Sequence, residues 1–382
     1  MRLVVRADRR RFLGQSIAGL VLCGLLAALC GKPASAEYKP QVTAADETAP
    51  AIVDLRVGVR GVYKAGLWTE ATATVRAGAQ PLSARLRLTV PDGDGMPSRF
   101  TSRQALQLSA GEEGEVSLLV RIGRVEATIL AELESDGQTI ARRRFRAGQS
   151  EYFAAAVEGR PVIVVVGPAD PGIEQAALSL ARPAESRPAV ALLDDLQLVN
   201  HLPTHRMGYE GVSALVLATS KPELVRRLAG DSPRVQAIEQ WIAAGGKLVL
   251  IGGPQAEEAL ADDSPLRRLL PGRIEGVVRL ERTAGIETFC RSAISIRSGQ
   301  DAAAALLASR LTEAQGNVVL SEDDLPLIVR RASGLGQVSY LAVDLNQPPL
   351  STWHDRGQFV AALVEVDVLG EESGGRRGEI KK

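Results

Sequence analysis

Cys290, His201 and His205 are the residues of this chain whose types could carry covalent or metal chemistry. Cys290 lies in Ile286-Glu287-Thr288-Phe289-Cys290-Arg291, and a neighbouring guanidinium lowers a thiol pKa. With a histidine elsewhere it is a formal nucleophile candidate. The competing reading makes it a small buried hydrophobe on a strand, and that reading is preferred. His201-Leu202-Pro203-Thr204-His205 sets two imidazoles at i, i+4, but Pro203 between them prevents a regular helix. No glutamate follows His201 as in the His-Glu-x-x-His zinc helix. Asp194-Asp195 just upstream could add carboxylates, so Asp194, His201 and His205 form a candidate site for zinc or another divalent ion. The plainer alternative is a loop carrying two solvated imidazoles. His354 is the third histidine.

Other segments have simpler explanations. Gly167-Pro168-Ala169-Asp170-Pro171-Gly172 follows an apolar run, where doubly wound folds bind phosphate. It lacks a Gly-Lys-Ser/Thr ending, and its two prolines remove N–H donors, so it reads as a turn from strand to helix. Asp92-Gly93-Asp94-Gly95 alternates acids like a calcium loop but lacks the distal glutamate. Arg142-Arg143-Arg144 with Arg146 reads as an exposed strand face.

The elements that would position these residues fall into two patterns. From Ile52 to about Arg146 the period is two, as in Ala84-Arg85-Leu86-Arg87-Leu88-Thr89-Val90, with glycine-containing turns between runs. This predicts an all-β, Ig-like antiparallel sandwich over residues 51–148. From Pro161 the runs become continuous and apolar: Val162 to Val166, Ala189 to Leu193, Ala214 to Ala218 and Lys247 to Ile251. Helical spacing over Ile173 to Leu180 and Val235 to Ala244 separates them. The expectation is a second domain over 160–368, an α/β doubly wound, mostly parallel sheet. Leu327 to Arg330 and Gln337 to Val343 would add a hairpin at its edge. Residues 37–50 read as a flexible lead-in and 369–382 as a disordered charged tail.

Three segments of the second region resemble a known family. They are Tyr209-Glu210-Gly211-Val212-Ser213-Ala214-Leu215-Val216-Leu217, then Trp241-Ile242-Ala243-Ala244-Gly245-Gly246-Lys247-Leu248-Val249-Leu250-Ile251-Gly252-Gly253, and Gly334-Leu335-Gly336-Gln337-Val338 leading to Asp344 and Pro348-Pro349-Leu350-Ser351-Thr352-Trp353. Together they are similar to the degenerate class I glutamine-amidotransferase-like (flavodoxin-like) domains of bacterial envelope proteins. There a β-sandwich often precedes the α/β domain and membrane helices often follow. This chain has no apolar run of spanning length after residue 36. The catalytic version of such a domain needs a cysteine on a tight turn from strand to helix. The corresponding Ile251-Gly252-Gly253-Pro254 holds no Cys, Ser or Thr. The resemblance therefore implies a dead site and a binding or scaffolding role. Gly167, Thr219, Gly252 and Gly253 at the strand ends are then the ligand-binding candidates.

The chain opens with an export signal. Arg9-Arg10-Arg11-Phe12-Leu13 resembles a twin-arginine motif, with Arg9 and Arg10 as the pair. An apolar run from Ser16 to Cys30 and Ala34-Ser35-Ala36 follow, which predicts cleavage after Ala36. Removing residues 1–36 takes six of the 45 basic groups and one of the 45 acidic ones, leaving a formal charge of −5. That balance gives no general reason to bind nucleic acid. Cys290 is then the one remaining thiol, so no intramolecular disulfide forms. The reading is an exported protein, periplasmic or secreted, with a signal-anchored form as the alternative and membrane attachment open. It is non-enzymatic, uses no cofactor and binds an envelope protein partner. The alternative is a hydrolase or transferase using Cys290 or the metal candidates.

Overall fold

Period-two apolar patterning folds the first half of the chain into two facing antiparallel sheets. A computed structural model describes residues 48–146, 154–156, 160–179, 187–298 and 304–365. The expected export signal with Arg9, Arg10 and Ala36, nearly all of the lead-in, and the charged tail lie outside the described residues. One sheet holds β1 (Ala51–Val57), β3 (Trp68–Arg76) and β7 (Glu113–Arg121), in the order β1-β3-β7. The other holds β4 (Leu82–Pro91), β5 (Pro97–Thr101), β8 (Thr128–Ser135) and β9 (Gln138–Arg146), in the order β5-β4-β8-β9. A short β6 (Leu106–Leu108) pairs with the start of β4. Along β4 the residues Leu82, Ala84, Leu86, Leu88 and Val90 are buried, and those between them are not. A side chain on a pleated strand points to alternate faces, so this alternation creates one core face. Leu55, Ala73, Val75 and Leu118 meet Leu86, Leu88, Ile129 and Phe145 in a single cluster. Residues 51–146 are an Ig-like β-sandwich.

β2 (Val62–Lys64) pairs in parallel with β10 (Ala154–Ala156), which brings the chain leaving the sandwich back beside it. The continuous apolar runs then form a seven-stranded sheet. Its strands are β11 (Val162–Val166), β12 (Ala189–Leu193), β13 (Ala214–Ala218), β14 (Lys247–Ile251), β17 (Asn317–Glu322), β18 (Leu325–Ser333) and β19 (Gly336–Leu341). The order is β12-β11-β13-β14-β19-β18-β17, parallel from β12 through β19 and antiparallel thereafter. All five residues of β11 and of β13 are buried, as strands covered on both faces require. Helices α1 (Ile173–Ser179), α2 (Pro222–Ala229), α3 (Ser232–Ala243), α4 (Ala256–Ala259), α5 (Ala284–Phe289) and α6 (Arg356–Glu365) surround it. A separate antiparallel ribbon joins β15 (Arg273–Leu280) to β16 (Leu306–Thr312), and Ala308 of β16 bridges Val343 just after β19.

The expected doubly wound α/β class does not hold. Strand accounts for 42% of the structure against 21% helix, spread over several sheets. A doubly wound fold needs a helix on each crossover between parallel strands. Here the connection from β12 to β13 holds only 3-10 turns, Leu198–His201 and Arg206–Tyr209. The route from β14 to β19 runs through four further strands. The protein is mostly β, with helices as short covers. The hairpin expected at the sheet edge forms between β18 and β19, but β19 is itself part of the parallel run and β17 is the edge. Among the described residues, no helix is long and apolar enough to cross a membrane.

The sandwich and the seven-stranded sheet belong to one compact unit, Asp46–Lys382. Val59, between β1 and β2, is buried in the core of the sheet region. The Trp68 N–H donates to Glu210 Oε2 at 2.7 Å. Gly211 sits so close that a Cβ there would come within 2.9 Å of Lys64 Cβ. Approach this close leaves no room for a larger residue.

Candidate functional site

The C-terminal ends of parallel strands are where sheets of this kind usually take ligands. Gly167, Thr219, Gly252 and Gly253 all lie at such ends, joined there by Asp344 after β19. Thr219 is buried; its N–H donates to Ile251 O at 3.0 Å and its Oγ1 to Gly252 O at 2.9 Å. A Cβ at Gly252 would come within 2.5 Å of Tyr340 Oη and 2.7 Å of Ser309 Oγ. Gly253 has φ +108°, and a Cβ there would lie 2.7 Å from Asp344 Cβ. This turn therefore excludes every nucleophilic side chain on steric grounds. Gly167 is similarly tight against Ala218, at 2.9 Å.

Ser309, carried in from β16, fills the space that Gly252 leaves. Its Oγ hydrogen-bonds Tyr340 Oη, accepts from Gly253 N at 3.4 Å and donates to Ala342 O at 3.0 Å. Asp344 is buried, and its Oδ1 accepts from Ser220 Oγ at 3.0 Å and Asn346 N at 2.9 Å. Its Oδ2 is buried without a hydrogen bond. Burial pushes the Asp344 carboxyl above its ordinary pKa, against the opposing pull of Asn346, Ser220, the Arg356 charge and Gln347. Arg356, on α6, donates to Pro171 O at 3.2 Å, Asp170 O at 3.1 Å and Asn346 Oδ1 at 2.7 Å. The turn after β11 is also self-satisfied: Asp170 accepts from Ile173 N at 2.9 Å and Glu174 N at 3.0 Å. Among the described residues, neither Ser220 nor Ser309 hydrogen-bonds a histidine. The strand ends form an internally bonded lock.

The metal candidates do not converge. Among the described residues, no three His, Cys, Asp or Glu side chains group to hold an ion. Asp194 has its carboxylate 3.8 Å from Arg60 Nη1, and its carbonyl accepts from Lys221 Nζ at 2.9 Å. His205 is exposed and its Nδ1 accepts from Met207 N at 3.2 Å, closing the second 3-10 turn. His201 is half-buried, with Nδ1 unpaired. Burial first, then the charges of Arg56, Arg60 and Arg234, push it down to a pKa of about 4. Its neighbours are cations, which repel a metal ion.

Cys290 is buried, but at the C-terminal end of α5 rather than on a strand. Its thiol lies 3.5 Å from the carbonyls of Ile286 and Glu287. Burial raises its pKa, two backbone hydrogen bonds oppose that, and the charges of Asp355 and Glu287 add to it. The adjacent Arg291, which suggested an activated thiolate, does not set the balance. His354 is exposed, 3.9 Å from Asp355. Asp92 Oδ1 accepts from Asp94 N at 3.0 Å and Met96 N at 2.8 Å, which makes that acidic segment a hairpin turn.

Sequence reasoning missed a groove of about 1030 Å³ between the sandwich and the 204–207 segment. Residues 99–106 form one wall, residues 115–119 of β7 another, and His205 and Met207 close one end. Among the described residues, β7 pairs only with β3, and β5 only with β4, so two strand edges open onto the groove. Trp68 and Phe100 pack edge-to-face within it at 5.6 Å. The clue in the sequence was the length of β7 with no neighbouring run to pair its second edge.

No family model matches the chain, and no curated protein does. Among solved structures, it is similar to a putative β-galactosidase from Bacteroides fragilis at 11% identity and TM-score 0.20, covering 53% of this chain and 40% of that one. A β-galactosidase from Bacillus circulans sp. alkalophilus has 11% identity and TM-score 0.28, with 55% of this chain and 30% of that chain covered. The CARDB domain of the PF1109 protein from Pyrococcus furiosus has 13% identity and TM-score 0.18, over 26% of this chain and 85% of that one. The chain thus spans less than half the length of either galactosidase. At these TM-scores the likenesses carry no argument. Nothing among them supports an amidotransferase-like domain.

Proposed function

We propose that the chain is an exported, non-enzymatic binding protein of the cell envelope, periplasmic or secreted, which receives a protein partner in the groove beside β7. The observation that carries this reading is the contrast between two places. At the strand ends, Ser309 and Tyr340 hydrogen-bond each other, Asp344 Oδ1 is taken by Ser220 and Asn346, Arg356 is taken by Pro171, Asp170 and Asn346, and the turn glycines admit no side chain. The groove is open, is bordered by an unpaired strand edge and combines aromatic with charged walls. Edge strands are ready templates for an added strand from a partner. Export rests on the Arg9-Arg10 motif, the apolar run and Ala36.

The hydrolase alternative needs a thiolate at Cys290 or a metal at His201, and the local electrostatics oppose both. The test is crosslinking in intact cells, followed by purification through a tag and mass spectrometry. One or two envelope proteins recovered in every repeat are expected. Recovery of the chain alone with crosslinkers of several chemistries, or turnover of amide or ester substrates by the purified protein, would overturn the reading.

A further inference from the structure

One outer face of the sandwich concentrates positive charge, and strand register fixes its membership. Arg142, Arg144 and Arg146 alternate outward along β9, and all three are exposed. Arg144 stands opposite Leu130, Leu130 opposite Thr89, and Thr89 opposite Arg99. The next row is Arg142, Glu132, Arg87 and Thr101, and beyond it Glu134 faces Arg85. Six guanidiniums thus share the face with two carboxylates, one of which, Glu134, is ion-paired to Arg87. The whole chain has 45 basic and 45 acidic groups, so composition alone does not produce this excess.

Arg143 marks the difference between structural and outward arginines. It points the other way from its neighbours, donates to Ile52 O at 3.1 Å and to Val53 O, and lies 4.9 Å over the Phe145 ring. Arg144 and Arg146 face Leu130 and Thr128 across the strands, neither of which can neutralise them. Like charges gathered on one sheet face repel, so this arrangement costs stability unless an external anion offsets it. A recess of about 340 Å³ lined by Leu130, Arg142, Arg143 and Arg144 opens there. Ile140, at the register shift near the start of β9, is 38% exposed.

We propose that this face docks on a bilayer surface rich in anionic phospholipid, with the guanidiniums on headgroup phosphates. The charges spread over four strands, a plane roughly 15 Å across at the usual strand spacing, rather than along one line. Leu130 among them suits the boundary between headgroups and acyl chains. The face meets the groove at Arg99 and Thr101, but Arg142 and Arg144 do not line the groove, so the inference does not rest on the proposed function. Each near-surface arginine strengthens partitioning roughly fivefold.

The test is co-sedimentation of the full chain with vesicles. Vesicles of phosphatidylcholine with about 30% phosphatidylglycerol are compared with pure phosphatidylcholine, at about 0.1 M and about 0.5 M salt. Neutral vesicles read any binding through the apolar segment at residues 16–30, which every variant shares. The expected result is an excess on anionic vesicles that fades at high salt and falls about 25-fold in Arg142→Gln/Arg144→Gln. Arg142→Lys/Arg144→Lys should keep most of it. Equal binding to both vesicles overturns the proposal, as does an excess unchanged in the glutamine variant. Binding to soluble polyphosphate with no excess on anionic vesicles would also overturn it, in favour of a linear polyanion.

Discussion

Glu70 on β3 accepts two hydrogen bonds from Thr204, from its N–H at 3.0 Å and its Oγ1 at 2.8 Å, across 134 residues of sequence. With the Trp68 to Glu210 bond, this fastens the sandwich to the loop that closes the groove. Glu70→Ala should cost about 1 kcal/mol, because charged hydrogen bonds at an exposed site sit at the low end of their range. That is a fall in Tm of about 2 °C for a chain of this size. Thr204→Ala should add little on top, since Glu70→Ala already removes the bond that the Thr204 hydroxyl makes to it. A double-mutant cycle on thermal unfolding checks this.

Gly252→Ala tests the lock at the strand ends. The new methyl would enter the space held by Tyr340 Oη and Ser309 Oγ, at 2.5 Å and 2.7 Å. Overpacking of this kind costs about 2–3 kcal/mol. Gly93→Ala, where a Cβ meets nothing within 4 Å, should be close to neutral. Urea midpoints for the two variants give the comparison.

His201 should make the fold acid-sensitive. Its folded pKa of about 4 lies below the ordinary 6.5, so the unfolded chain takes up the proton first as pH falls. The stabilisation is fully present above pH 6.5 and is lost as pH drops toward 4. After discounting for solvent screening at a half-buried site, the loss is about 1–2 kcal/mol. His201→Gln should remove this slope while leaving stability near pH 7 little changed, as read from urea midpoints across that window.

Cys290 should behave as a structural thiol. Its raised pKa and burial leave little accessible thiolate. Alkylation of the folded protein near neutral pH should run at least about tenfold slower than after unfolding. Rapid labelling of the native protein at mildly acidic pH would revive the nucleophile reading.

Much of the fold was legible because burial pattern follows strand environment. The alternation through Arg85, Leu86, Arg87 and Leu88 announced a half-exposed strand, and Val162 to Val166 a fully covered one. The class assignment failed at the connections. The stretch from Asp194 to Ser213 carries Pro203 and Gly208 and folds into 3-10 turns, where a doubly wound fold requires a crossover helix. The β15–β16 ribbon was not anticipated, since Arg273–Leu280 has a register shift and only weak alternation.

The candidate site was legible only as positions. Thr219, Gly252 and Gly253 do lie together at the strand ends, but their partners could not be read from spacing. Ser309 reaches Tyr340 because β16 bridges the residues after β19, a contact between distant segments. The groove depends on how the sandwich seats against the 204–207 segment, which no local pattern encodes.

The most direct test of the binding account is photo-crosslinking in intact cells from a probe replacing Gln104, within the groove, against one replacing Gln138 at the β8–β9 hairpin. The account predicts a discrete adduct with one recurrent envelope protein from Gln104 and none from Gln138. Equal adducts from both positions, or none from Gln104 in a folded and exported protein, would contradict it.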